Sequence, residues 1–265
     1  MRTFIYFLIG LAFLSFSCES QRARRWFERG REFYDQGLYL EAIQNWEMVL
    51  SYAPESKYGD DALHWIGISY YLKLDMPDRA VSAFSRLVNN YPDSGYAPSD
   101  QILVAEIFKS QGDYARAIVE LYRFLKLFPE EEKLAEVWNR LIICLFEAGE
   151  YEAMRNQAKA LAERFPGSIW EGNGWFWIGE SYYLEGNYSE AMRYFQEYLN
   201  KYPEGELAYK AWLGIGASLE DDGQMEQAIE LYQNLERRYP QEKVIQLRLE
   251  SLNKRYERKY SKKPN

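Results

Sequence analysis

In 265 residues the chain holds one histidine, His64, and two cysteines, Cys18 and Cys144. With Cys18 set aside as the acylation candidate described below, one thiol and one imidazole remain, which excludes a Cys/His metal cluster and a disulfide framework. A Ser-His-Asp constellation would have to use His64, and no Gly-x-Ser-x-Gly elbow is present to carry the serine. Gly214-Ile-Gly216 and Gly172-Asn-Gly174 lack the strand-turn-helix setting of a dinucleotide loop. Carboxylate runs such as Glu130-Glu131-Glu132 and Asp221-Asp222 fall where linkers and turns are expected and read as solvated charge. Cys144 lies among Leu141, Ile142, Ile143 and Leu145 and reads as a small core residue. No catalytic residue, metal or cofactor is expected.

Proline is sparse, yet six of the nine prolines are periodic. Pro54, Pro92, Pro129, Pro166, Pro203 and Pro240 follow one another at 38, 37, 37, 37 and 37 residues, the mark of a repeat array. About twenty residues ahead of most of them the same punctuation recurs: Gly37-Leu-Tyr39, Gly112-Asp-Tyr114, Gly149-Glu-Tyr151, Gly186-Asn-Tyr188 and Gly223-Gln-Met225. The second repeat has Asp75-Met-Pro77 there, with one extra residue between Gly67 and Ala80.

One repeat can be read for all. In residues 172–208, Trp175, Ile178, Gly179, Tyr182 and Tyr183 recur at helical spacing. Gly186-Asn187 interrupts, then Ala191, Phe195, Tyr198 and Leu199 recur at helical spacing again. Pro203 stops the second helix, because proline has no N–H to donate and disfavours helix in the residue before it. Small residues such as Gly179 with Ala191, Ala105 with Ala117, and Gly216 with Ala228 mark close helix crossings.

This order of aromatic, aliphatic, small residue, tyrosine, alanine, phenylalanine and proline resembles the tetratricopeptide repeat, and residues 23–240 hold six units of it. The fourth unit departs, with Met154 and Ala158 where alanine and phenylalanine are expected. The resemblance implies an all-α fold: a right-handed α-solenoid of six helix pairs. A C-terminal capping helix, carrying Val244, Leu247, Leu249 and Leu252, would follow in residues 241–265, which end in a basic tail. It also implies a concave groove lined by the first helix of each pair. Carried onto this chain, the groove positions are Phe27, Arg31 and Tyr34; His64, Ile68 and Tyr71; Ile102, Glu106 and Lys109. They continue as Asn139, Ile143 and Phe146; Phe176, Glu180 and Tyr183; Leu213, Ala217 and Glu220. An apolar stripe edged with carboxylates suits a peptide held by a few anchors and a polar rim.

The N-terminus has another character. Met-Arg-Thr precedes an apolar run from Phe4 to Phe16, a signal-peptide pattern too short to span a bilayer with ease, so residues 1–17 are expected to direct export. Leu14-Ser15-Phe16-Ser17-Cys18 resembles a lipobox, with lipidation expected at Cys18 and residues 18–22 as a short linker. Ser15-Phe16-Ser17 also fits ordinary signal cleavage. Arg22, Arg24 and Arg25 either meet anionic headgroups or solvate a helix start.

Charge is segregated along the chain. Residues 32–240 carry 18 Lys and Arg against 35 Asp and Glu, a balance of −17, whereas 241–265 carry eight against three, a balance of +5. Nucleic acid is therefore not an expected partner of the repeats. Leader, cysteine, short linker and repeats together resemble the BamD family of outer-membrane assembly lipoproteins. That resemblance implies a lipid-anchored, periplasm-facing outer-membrane scaffold whose partners are the barrel insertase and unfolded outer-membrane proteins. The fifth and sixth units also resemble the CpoB family of Tol-Pal coordinators, and a partner of a solute transport system is a third possibility. An enzyme, such as a murein lyase built on one glutamate, would need a catalytic domain for which the repeats leave no room.

Overall fold

A computed structural model describes residues 20–239 and 242–260. Cys18, the leader and Pro240 lie outside the described residues. Every regular element described is helical: α1 (20–35), α2 (Tyr39–Tyr52), α3 (Gly59–Ile68, continued by a π-helical turn Ser69–Lys73), α4 (Pro77–Asn90), α5 (Ala97–Ser110) and α6 (Tyr114–Leu127). The second half holds α7 (Leu134–Glu147), α8 (Tyr151–Arg164), α9 (Ile169–Leu184), α10 (Tyr188–Lys201), α11 (Ala208–Asp221), α12 (Met225–Arg238) and α13 (Lys243–Tyr260). The chain is all-α, as expected, but residues 20–22 are already helical where a linker was anticipated. It divides into two units at Glu131/Glu132, within the acidic linker, and each unit contains three helix pairs.

The turn inside each pair is set by one residue. Gly37, Gly112, Gly149, Gly186 and Gly223 have φ between 75° and 79°, a left-handed conformation that only glycine adopts without cost. In the fifth pair the Gly186 N–H donates to the Tyr183 carbonyl (3.0 Å) and the Asn187 N–H to the Tyr182 carbonyl (2.9 Å). These bonds satisfy carbonyls that the helix end would orphan. The Asn187 side chain then accepts from the Glu190 N–H and caps α10. In the second pair the extra residue is absorbed as the π-helical turn, with the Leu74 N–H donating to the Ser69 carbonyl at 3.1 Å. Asp75 takes the left-handed position there, at φ 51°.

Helices pack closely because small faces large at a fixed register. A Cβ on Gly30 would lie 2.4 Å from the Trp46 indole, on Gly67 2.4 Å from the Phe84 ring, on Gly179 2.8 Å from Phe195, and on Gly216 2.5 Å from Tyr232. Trp46, Phe84, Phe195 and Tyr232 are fully buried. The same register holds Ala105 and Leu121 in the third pair, and Ile142 and Ala158 in the fourth. The fourth pair therefore reverses the order of large and small while keeping both residues buried, which explains its departure from the sequence pattern.

Successive pairs are tied by the tyrosine before the closing proline. The Tyr91 hydroxyl donates to the Pro54 carbonyl at 2.7 Å in the first unit, and that of Tyr202 to the Ser168 carbonyl at 2.7 Å in the second. Cys144 is buried in α7. The last helix, α13, covers α12 with Ile245, Leu249 and Leu252. Val244 and Leu247, expected on that stripe, are 45% and 64% exposed; the buried face repeats at Ile245, Leu249 and Leu252, spacings of four and three.

Candidate functional site

The groove positions fall into two groups. In the first unit several of them pack against the chain's own side chains, while Arg31 is exposed. Phe27 is 6% exposed and packs against Trp46 and Tyr58, so it belongs to the core. Tyr34 meets Trp65 edge-on at 5.3 Å. The His64 ring stacks on Tyr96 at 4.1 Å, and its Nδ1 lies 2.9 Å from Asp100 Oδ1. Asp100 is wholly buried; burial pushes its carboxyl above the usual carboxylate range against the pull of His64. Ile68, Tyr71 and Ile102 are half-buried on the same helices, α3 with its π-helical turn and α5.

In the second unit the equivalent positions open into a cleft of about 390 Å³. Phe176, Glu180 and Tyr183 of α9 and Leu213 and Ala217 of α11 line it together. Trp177, Lys210, Gly214 and, from α13, Arg248 complete it. The Phe176 ring is 4% exposed, anchored against Phe195 and Tyr198, so it presents only an edge to the cleft. Trp177 rests on Phe146 at 5.1 Å, which places Phe146 behind the cleft wall. Ile143 is half-buried on α7 and is not part of the cleft lining. The floor is thus apolar.

Its rim is charged. Burial raises the Glu180 carboxyl above its usual range, and the exposed Lys210 ammonium works in the opposite direction. The Tyr183 hydroxyl donates to Asp221 Oδ2 at 2.8 Å, and burial followed by that carboxylate pushes its pKa up to about 12. At the far end Glu220 accepts from the Tyr232 hydroxyl and from Arg248, each at 2.8 Å, and forms an ion pair with Arg255 at 3.6 Å. This ties the basic end of α13 to α11 and holds the Arg248 guanidinium at the cleft. Among the described residues no group of three or more His, Cys, Asp or Glu side chains is placed to hold a metal ion. No helix among them is long and apolar enough to cross a membrane.

The tetratricopeptide resemblance placed Phe176, Glu180 and Tyr183 of α9 and Leu213 and Ala217 of α11 at groove positions, and the cleft includes all five. The resemblance missed Trp177, Lys210, Gly214 and Arg248. Lys210 and Gly214 neighbour Leu213 on the helix surface, at i−3 and i+1, and a wider helical stripe would have included them. Arg248 carries no local signal, because it enters from the next helix.

The site is an apolar cleft with a charged rim between the helix pairs of α9 and α11. The tetratricopeptide repeat family model matches residues 61–94, 174–205 and 210–242. No curated protein matches the chain by sequence. Among solved structures, a tetratricopeptide repeat protein from Parabacteroides merdae is 14% identical, with 81% of this chain and 79% of that one covered and a TM-score of 0.54. PilW, a type IV pilus biogenesis factor, is 16% identical over 86% of this chain and 99% of its own, also at 0.54. MamA from Desulfovibrio magneticus is 17% identical over 68% and 96%, at 0.52. At these identities the likeness is one of fold. The segments 61–94, 174–205 and 210–242 carry the tetratricopeptide repeat, and the array of helix pairs shares the fold of these repeat structures.

Proposed function

We propose that the chain is a non-catalytic scaffold that binds an extended or helical peptide segment of a partner protein in the α9–α11–α13 cleft. The observation that carries this reading is the cleft itself. Leu213, Gly214, Ala217 and the edge of Phe176 form an apolar floor inside a rim that carries Glu180, Lys210 and Arg248. Such a site fits one or two apolar side chains, with a polar or charged backbone neighbourhood fixing orientation. The leader and Cys18 place the scaffold, in this proposal, on the periplasmic face of the outer membrane through an N-terminal lipid. The resemblance to outer-membrane assembly lipoproteins makes the peptide an aromatic segment of an unfolded β-barrel protein, with the barrel insertase as second partner.

Gentle-detergent purification of the native protein with mass spectrometry, repeated with Leu213→Glu and Lys210→Glu, tests this. Lys210 is exposed and Leu213 is packed partly against the core, so the helical circular dichroism of each variant is compared with wild type before the floor and rim are judged. The expected result is recovery of the insertase and unfolded barrel chains, with the barrel chains lost in both variants. Recovery of Tol-Pal or transporter components in their place overturns the assembly role. Equal recovery of partners by wild type and variants removes the cleft from the binding reading.

A further inference from the structure

The exposed basic face of α1 has no role in the groove. Residues 20–35 carry five arginines (Arg22, Arg24, Arg25, Arg29 and Arg31) against Glu28, Glu32 and Asp35, a balance of +2. Residues 36–131 of the same unit carry eight basic against fourteen acidic residues, a balance of −6. Arg22, Arg25 and Arg29 are spaced by three and four, so they share one helix face. They line, with Trp26 and Tyr52, a depression of about 420 Å³. A second depression, of about 360 Å³, adjoins it through Tyr52 and adds Ser20 with the opposite charges of Glu55 and Lys57. All three arginines are exposed, and Tyr52 is 57% exposed. No carboxylate among the described residues forms an ion pair with Arg22, Arg24, Arg25 or Arg29, whereas Arg86, Arg116 and Arg123 elsewhere in the unit all have such partners. Glu28 and Glu32 lie among Arg24, Arg25 and Arg29 along one side of α1, while Arg22, Arg25 and Arg29 meet the exposed tyrosine and the half-buried tryptophan on the other, so the face stays net positive on an otherwise acidic unit.

We infer that this face docks on an anionic phospholipid surface, with Arg22, Arg25 and Arg29 on headgroup phosphates and Trp26 and Tyr52 at headgroup depth. Charge complementarity selects the occupant: guanidinium groups bind phosphate through paired hydrogen bonds, and amphipathic aromatic rings favour the membrane interface. Chain position selects it too. The apolar run ends at Phe16, and Cys18 lies four residues before Arg22, at most about 14 Å of extended chain. A bilayer contacted by either feature is within reach of the patch. The inference takes its cellular setting from the lipid-anchored reading above, yet it is decided with vesicles alone.

The full chain is reconstituted into vesicles of phosphatidylcholine and of equimolar phosphatidylcholine and phosphatidylglycerol, and hydrogen exchange is followed by mass spectrometry. The expected result is slower amide exchange in residues 20–35 and around Tyr52 on the anionic vesicles only. High salt and the R22Q/R25Q/R29Q variant should each abolish that protection, and R22K/R25K/R29K, which keeps the charge, should retain it in large part. The glutamine and lysine variants together separate loss of charge from loss of fold. Equal exchange on the two vesicles, or protection that survives the glutamine variant, overturns the inference and leaves the patch to an acidic protein segment. Failure of the outer-membrane reading shows separately, in cell fractionation.

Discussion

The two units are built from the same helix pair repeated three times, yet their first-helix faces end in different states. In the first unit part of the face is covered by its own side chains. His64 stacks on Tyr96 and bonds to the buried Asp100, and Tyr34 packs on Trp65. In the second unit Glu180 and Lys210 stand at the edge of an open cleft floored by Leu213 and Ala217. The backbone register is common; what differs is the side chains set on it, His64 with Tyr96 and Asp100 in the first unit and Leu213, Gly214 and Ala217 in the second. A repeat can therefore keep its core constant and vary recognition by changing two or three positions.

That contrast can be broken most severely in the shared core. Phe195 is fully buried, its ring approached by both Gly179 and Gly214, so Phe195→Ala should cost about 3–5 kcal/mol and be seen as a large drop in denaturant midpoint. Gly179→Ala should cost roughly 1–3 kcal/mol by overpacking against the same ring. Adding Phe195→Leu should recover part of that loss, because the third pair already uses Ala105 and Leu121 at this register. If the double variant is no better than Gly179→Ala alone, size complementarity is the wrong account of the register.

The covered part of the first unit's face offers the next test. Asp100→Ala removes the partner of His64 and should destabilise by about 1–3 kcal/mol, read by thermal unfolding. The second unit has its own charged tie: Glu171 accepts from the Gly167 N–H (2.6 Å), Lys201 (2.6 Å) and the Tyr202 hydroxyl (3.1 Å). Burial acts against ionisation there, but the Lys201 ammonium and these donors outweigh it and hold the carboxyl below its usual 4.5. A carboxyl depressed by folding contributes stability that is complete above 4.5 and disappears as pH falls through its lower folded value. Glu171→Gln should cost about 1–2 kcal/mol at neutral pH and flatten the acid limb of the stability curve. The smallest effect is expected at Arg86, whose pair with Glu47 is nearly half exposed; Arg86→Ala should change stability by less than about 0.5 kcal/mol.

Much of the fold was legible in the sequence because helix pairs are local. Glycine at the turn, proline after the second helix and the 3.6-residue stripe between them are each dictated by backbone sterics within a few residues. The extra residue of the second repeat was visible as a count, but its absorption into a π-helical turn was not, since a wider loop would satisfy the same count. The capping helix was read with its stripe misplaced. Val244, Leu247, Leu249 and Leu252 gave a plausible apolar set, and packing selected Ile245 in place of Val244 and Leu247. Within the site, Glu180 and Leu213 were visible as positions, and Phe176 was visible as a groove aromatic although most of its ring is committed to the core.

By itself the sequence determined the helical class, the number and length of the repeats, the turn residues and the segregation of charge between α1, the repeats and the tail. Each of these follows from periodicity, backbone sterics or simple counting along the chain. Only the tertiary structure decided which groove positions are filled and which are open. His64 is satisfied because Asp100, 36 residues on, reaches its ring. Arg248 stands at the cleft because Glu220, on α11, draws it there. Side-chain pairing across helices depends on distances that no local spacing encodes, so recognition was settled in space while the scaffold was settled in sequence.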